Sequence, residues 1–242
     1  MEQTENNLLI ATQDMEVYSY AKYDKEFLER LVNYYTKTKK QILDFFGIAE
    51  FRKIKVNLFE NKQDYDNNFK NIMKISNYGI GNCYMGSINY VCTKQDLESI
   101  PRAGFVIASI VHEFVHLVYY EKVTKNKCVW LEEGLAQYLS GQKSLLELDS
   151  KRYNEWLKKY IFAKELPEIE YLKEHGSLYG KFCDMKTDRY NGYDISYALI
   201  RYMISKYTNK EINDIIRDKY KLQELEKVII QDYINETKES AK

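Results

Sequence analysis

Between Asp24 and Phe46 the apolar residues Phe27, Leu28, Leu31, Val32, Tyr35, Ile42, Phe45 and Phe46 fall mostly on one stripe at helical spacing, and Gly47 follows as a stop. The pattern predicts one long amphipathic helix. Ile54, Val56 and Leu58 then alternate with Lys53, Lys55 and Asn57, the period of a strand with one wet face. Lys62 to Ile75 reads as a polar helix with Tyr65, Phe69, Ile72 and Met73 turned inward. From Asn77 to Thr93, the glycines Gly79, Gly81 and Gly86 precede β-branched and aromatic residues, which predicts turns feeding one or two strands.

Ser99 and Pro101 mark the start of a helix from Arg102 to Lys122 that is apolar on nearly every side: Phe105, Val106, Ile107, Ile110, Val111, Phe114, Val115, Leu117 and Val118. A helix of that kind runs through a core. A second helix is expected from about Val129 to Gly141, and the remainder reads as helical apart from a loop-like stretch, Lys173 to Gly192. No repeat, low-complexity block or linker rich in Pro, Gly or Ser interrupts the chain. The order predicts an α+β protein: a small mixed sheet followed by a predominantly helical half, in a single unit over 1–242 with halves of about 1–101 and 102–242.

Composition narrows the partners. Lys plus Arg and Asp plus Glu each total 36 in 242 residues, so no basic field exists to hold a nucleic acid. The longest apolar or small run, Ala103 to Val111, is about half of what a bilayer crossing needs, so no membrane partner is expected. Cys83, Cys92, Cys128 and Cys183 are widely spaced and form no CxxC pair, which fits small buried hydrophobes in a reducing compartment better than a disulfide framework or a zinc finger. No positively charged segment leads into an apolar one near Met1, and the chain as given reads as cytoplasmic. The 23 Tyr against 10 Phe, with 2 Pro and 10 Gly, describe a helix-rich chain with few tight turns and many hydroxylated rings. There are only 3 His.

Two of those histidines fall in the core helix as His112, Glu113, Phe114, Val115, His116, an HExxH pattern. At about 100° of rotation per residue, His112 and His116 lie about 40° apart and one turn apart in height, so both imidazoles can reach one metal ion. Glu113 sits about 60° from His116, beside such an ion, where a general base for an activated water belongs. An ionised Glu on so apolar a helix needs a nearby cation to offset its desolvation, and a divalent ion accounts for all three residues together.

Catalytic zinc takes three protein ligands and keeps one open position. The candidates for the third are Glu132 and Glu133 on the next helix, and His175, 59 positions beyond His116. Helical phase leaves both glutamates open: Glu132 groups with Leu135 and Leu139, Glu133 with Ala136 and Ser140.

HEFVH followed by Trp130, Leu131, Glu132, Glu133, Gly134, Leu135 and Ala136 resembles the gluzincin metallopeptidases, whose second helix carries W-L-x-E-G-x-A with the Glu before Gly as third zinc ligand. The resemblance implies one Zn²⁺ held by His112, His116 and Glu133, with Glu113 as general base. Sixteen residues separate His116 from Glu133, a shorter connection than the aminopeptidase branch has. Downstream, YDISYALIRYM opens at Tyr193, sixty positions after Glu133, and resembles the Y-E-K-G-A-x-x-L-R-M-L helix of aminopeptidase-like members. That match implies Tyr193 as the donor to the oxyanion, with Tyr197 and Tyr190 as alternatives.

The resemblance spans about Gly79 to Tyr207 and is to the peptidase-MA-like group, related to collagenase and aminopeptidase catalytic domains. It implies a zincin-like, thermolysin-like architecture and a peptide or protein substrate. In that group the last strand before the HExxH helix is an edge strand that binds extended peptide by main-chain hydrogen bonds. The segment Asn82 to Val91 fits, with Tyr84, Met85 and Gly86 as substrate-binding residues. The G-A-M-E-N motif of aminopeptidases is missing, so an endopeptidase is expected ahead of an exopeptidase. The alternatives are a catalytically silent zinc scaffold for peptide binding or regulation, and zinc hydrolysis of a non-peptide amide. His175 reads as an exposed loop histidine, and nothing in the chain sets an oligomeric state.

Overall fold

The computed structural model describes residues 7–69, 80–126, 128–142 and 192–239. Ile72, Met73, Cys183, His175 and Tyr190 lie outside these, as do the end of the helix expected at 62–75 and the stretch 143–191. The chain divides into two compact units, Met1–Val118 and Tyr119–Lys242.

The first unit is built on a five-stranded mixed sheet. Its strands are β1 (Asn7–Ala11), β2 (Met15–Ser19), β3 (Ile54–Phe59), β4 (Gly81–Tyr84) and β5 (Ser87–Val91), in the order β1-β2-β3-β5-β4. The outer pairs β1/β2 and β5/β4 are antiparallel, and β2/β3 and β3/β5 are parallel. Helix α1 (Lys25–Phe46) begins at Asp24, whose side chain accepts the Glu26 N–H at 3.0 Å. It ends at Gly47, which adopts the left-handed φ of 67° that a C-terminal cap requires. Both ends agree with the sequence.

Helix α2 (Lys62–Phe69) and helix α4 (Ile100–Val118), the latter preceded by the short α3 (Lys94–Leu97), lie on opposite faces of this sheet. Alternation along the strands explains why. Phe59, Val91 and half-buried Tyr84 point to one face and cluster with Tyr65 and Phe69 of α2. Gly81, in register with Tyr90, points to the other and meets Glu113 of α4. Tyr35 of α1 packs edge-to-face on Phe114 of α4, ring centroids 5.0 Å apart.

Strands β1 and β2 have no counterpart in the sequence expectation. Each is five residues long, and β2 closes in parallel on β3, so that Met15 lies opposite Ile54 and Ser19 opposite Leu58. Its inward row of Met15, Val17 and Ser19 acquires meaning only once β3 is in place.

The second unit is helical among its described residues. It opens with a π-helical turn, Tyr119–Val123, closed by the Thr124 N–H donating to the Tyr119 carbonyl at 3.0 Å. There follow α5 (Val129–Leu139), α6 (Gly192–Lys206), α7 (Asn209–Arg217) and α8 (Lys219–Glu239). Trp130, Leu131, Leu135, Leu199, Met203, Ile216 and Ile229 are buried at its centre. The stretch Ile100–Val123 is long and apolar enough to cross a bilayer, and 78% of its apolar window is buried inside the protein, as in the central helix of a globular core. The α+β class and the mixed sheet followed by helices agree with the sequence reading.

Candidate metal centre

Helix α4 is buried along most of its length, and its two histidines are each only 8% exposed. Their Nε2 atoms face one another at 3.1 Å. Two nitrogens bound to one tetrahedral zinc at about 2.05 Å stand about 3.3 Å apart. The pair thus already holds the spacing of two metal ligands. Glu113, one residue on, is half-buried, where the sequence suggested deeper burial.

The Glu113 carboxylate lies against β4, which is an edge of the sheet, whereas β5, the last strand before α4, sits inside it. The edge role expected of Asn82 to Val91 therefore belongs to its first residues. An ideal Cβ on Gly81 would stand 2.8 Å from Glu113 Oε1 and 2.7 Å from Tyr90 Cδ2. Buried Tyr90 shares a hydrogen bond with Ser109, one turn before Glu113, and its burial raises the phenol pKa.

On the far face of β4 runs a ladder of amides. Asn57 Nδ2 donates to Asn89 Oδ1 at 2.8 Å, Asn89 Nδ2 to Asn82 Oδ1 at 3.0 Å, and Asn82 Nδ2 to the Tyr65 hydroxyl at 2.5 Å. Tyr84 ends the strand, and Met85 and Gly86 form the hairpin turn with φ of 47° and 75°. Met85 is a rare side chain for a left-handed position and stands 85% exposed. Arg52 Nη2 donates to the Gly86 carbonyl at 2.8 Å and pins the turn.

In the second unit, α5 carries the two glutamates that helical phase left open. Glu132 Oε1 accepts the Cys128 backbone N–H at 2.6 Å, and its Oε2 accepts the Tyr120 hydroxyl. It thereby serves the first turn of its own helix, where backbone N–H groups lack partners. Glu133 is 7% exposed. The residue after it must be glycine, because a Cβ on Gly134 would meet the Ser196 carbonyl oxygen of α6 at 2.5 Å and Ile200 Cγ1 at 2.6 Å. Trp130 is fully buried and its indole N–H donates to Glu226 Oε1 of α8 at 3.2 Å, the same atom that accepts the Cys128 thiol at 3.3 Å.

Tyr193 is half-buried in the first turn of α6 and shares a helix face with Ser196 and Ile200, the residues against Gly134. Tyr197 instead stacks on Tyr138 at 6.3 Å with the Arg201 guanidinium 5.9 Å from its ring, and burial raises its pKa. The residues that sequence reasoning missed are Tyr90, Ser109 and Glu226, which contact the neighbours of candidate ligands and carry no motif of their own. Gly81 was visible as a turn signal and as the flank of the expected edge strand, with no sign of its contact with Glu113.

His112 and His116 of the first unit are a buried pair that could supply two ligands to a metal ion, and Glu133 is buried in the second unit. No family model matches the chain, and no curated protein matches it. Among solved structures it is similar to an aminopeptidase N family protein from Idiomarina loihiensis, with a TM-score of 0.50 and 14% identity. The match covers 88% of this chain and 40% of that one, so this chain spans two fifths of that protein's length. The likeness is one of fold, and that fold is α+β and zincin-like.

Proposed function

We propose that this protein is a zinc-dependent peptidase, with His112, His116 and Glu133 as ligands and Glu113 as general base. The observation that carries the reading is the buried His112–His116 pair, whose facing Nε2 atoms stand 3.1 Å apart. Support for the third ligand comes from the burial of Glu133 in the second unit and from the engagement of Glu132 elsewhere. The donor set of two imidazoles and one carboxylate suits zinc with a position left open.

Zinc bound there supplies Lewis acidity toward the scissile carbonyl and makes water acidic enough to attack near neutral pH. Glu113 accepts the proton of the attacking water at its carboxylate and passes it to the leaving amine nitrogen. Tyr193 donates its phenolic hydrogen bond to the oxygen that becomes negative as the carbonyl is attacked. The open edge of β4 holds an extended peptide by main-chain hydrogen bonds, with Tyr84, Met85 and Gly86 at its end. Cleavage within a peptide is the preferred mode.

The test is metal analysis paired with cleavage of a diverse peptide library, with and without a chelator. Zinc at one per chain, chelator-sensitive cleavage, and a Glu113→Gln variant that keeps zinc while losing turnover are expected. Chelator-insensitive cleavage, or protein that takes up no zinc, overturns the proposal. Peptides acetylated at the N-terminus should be cleaved as fast as free ones, and a requirement for the free amine would make the enzyme an exopeptidase.

A further inference from the structure

We propose that Arg201 is a carboxylate-binding residue that sets substrate preference: its guanidinium, seated on a tyrosine shelf beside Tyr193, takes an acidic group that the peptide carries about three residues from the bond that is cut. The inference deepens the peptidase reading and rests on it for the place of that bond. Every residue it uses lies in the second unit.

Helix α6 carries two stripes of different burial. Ser196, Ile200 and Met203 are buried, the first two against Gly134 of α5, whereas Tyr193, Tyr197 and Arg201, four residues apart, stay half-buried along one side. Tyr197 is stacked on Tyr138 with ring centroids 6.3 Å apart, and Tyr138 is 37% exposed, so the two rings form a shelf that solvent reaches. The Arg201 guanidinium lies 5.9 Å from the Tyr197 ring. Long side chains on a helix lean toward its N-terminus, which brings this cation back over the preceding turn, in the direction of Tyr193. Among the described residues no carboxylate pairs with Arg201, whereas Lys206 of the same helix is engaged by Glu236 at 2.6 Å. A guanidinium held over a ring is partly dehydrated and presents its N–H donors in a fixed fork, which a carboxylate fills with two parallel hydrogen bonds. In a peptide, the groups of that chemistry are the side chains of Asp and Glu and the C-terminal carboxylate. Eight residues of helix put the Arg201 Cα about 12 Å from that of Tyr193. The backward lean shortens the reach to about 10 Å, the span of about three residues of extended peptide.

The test uses the full chain loaded with zinc, and N-acetylated peptides that differ only in carrying Glu or Gln at one position, moved stepwise along both sides of the bond that is cut. Each peptide is made with a free and an amidated C-terminus. At a position about three residues from that bond, kcat/KM should favour Glu over Gln, or the free over the amidated terminus, about 10-fold. The first preference marks a side chain as the ligand and the second the terminal carboxylate, and either supports the proposal. In Arg201→Gln the ratio should fall to about 1, and Arg201→Glu should favour Lys over Glu at the same position. A wild type with neither preference, or a preference that Arg201→Gln leaves unchanged, overturns the proposal. If Arg201→Gln does not fold, Arg201→Lys takes its place and should lower the ratio to about 3, because an ammonium lacks the fork; a ratio equal to that of wild type overturns the proposal. A wild type that cleaves no peptide yet binds the acidic peptide about 10-fold more tightly than its neutral twin, with the difference gone in Arg201→Gln, defeats the peptidase reading and leaves the carboxylate site standing. No cleavage and no such difference in binding defeats both.

Discussion

Replacing Gly134 and Gly104 by alanine should move stability in opposite directions, although both glycines sit inside helices and helix propensity alone favours alanine at each. At Gly104 of α4 a Cβ meets nothing within 4 Å. Alanine there gains about 0.5–1 kcal/mol from reduced backbone entropy in the unfolded chain. At Gly134 the methyl would stand 2.5 Å from the Ser196 carbonyl oxygen, 2.8 Å from its carbon and 2.6 Å from Ile200 Cγ1. Two of those atoms are backbone of α6 and cannot turn aside, so α5 and α6 must separate by about 1 Å. Overpacking of this kind costs about 1–3 kcal/mol, and a helical backbone neighbour places it in the upper part of that range. Subtracting a propensity gain of about 1 kcal/mol leaves a net loss of about 1–2 kcal/mol. For a chain of this size that lowers Tm by about 2–8 °C, whereas Gly104→Ala raises it by about 1–4 °C. Calorimetry on the two single variants measures both. A Gly134→Ala protein as stable as wild type, or two shifts of the same sign, would refute the claim that close helix approach is why glycine follows Glu133.

Other consequences can be checked with similar variants. Burial pushes the Cys92 thiol up to about 12 from its ordinary 9.0, and burial also raises Tyr35, Tyr65, Tyr90 and Tyr119. The fold holds these groups protonated while the unfolded chain releases their protons from about pH 9 upward. Stability is thus fully present below pH 9 and falls toward pH 12, and Tm should drop over that range with phenolate absorbance appearing together with unfolding. A Tm unchanged up to pH 11 contradicts the burial. Glu132→Ala should cost about 1–3 kcal/mol by stranding the Cys128 N–H and the Tyr120 hydroxyl, yet keep bound metal, whereas Glu133→Ala should lose metal. The reverse pattern in metal analysis would exchange their roles. Asn89→Ala breaks the amide ladder at its middle and should lower the urea midpoint by the equivalent of about 1–3 kcal/mol; an unchanged midpoint would show that water replaces the ladder without loss.

The legible parts of this protein were those whose signal is local. Asp24 and Gly47 bracket α1 because caps are properties of a few adjacent residues, and His112, Glu113 and His116 announce themselves because one helix sets their spacing. The two N-terminal strands were not legible, since β2 is stabilised by β3, whose partner residues lie about forty positions away. The choice between Glu132 and Glu133 could not be made from phase because α5 is buried nearly all round, so periodicity carries no direction there. The bonds of Tyr120 and Cys128 to the Glu132 carboxylate are what favours Glu133 in the proposed ligand set. The amide ladder depends on three strands being in register, and the contact between Gly81 and Glu113 on a sheet edge meeting a helix. Abundant tyrosine obscured the choice among Tyr193, Tyr197 and Tyr190. The structure shows Tyr197 engaged by Tyr138 and Arg201.

The bond from Trp130 to Glu226 spans 96 positions of chain. During synthesis, the helix that carries Glu133 emerges long before the carboxylate that receives its tryptophan and the Cys128 thiol. Its first turn is therefore finished only when α8 docks, so this unit matures late and as a whole rather than from its N-terminal side onward. A chain stalled or clipped ahead of residue 226 leaves an indole N–H and a thiol stranded in an apolar interior. Shortening this protein from its C-terminal side, as in designing a minimal version, should fail abruptly at that point and not gradually.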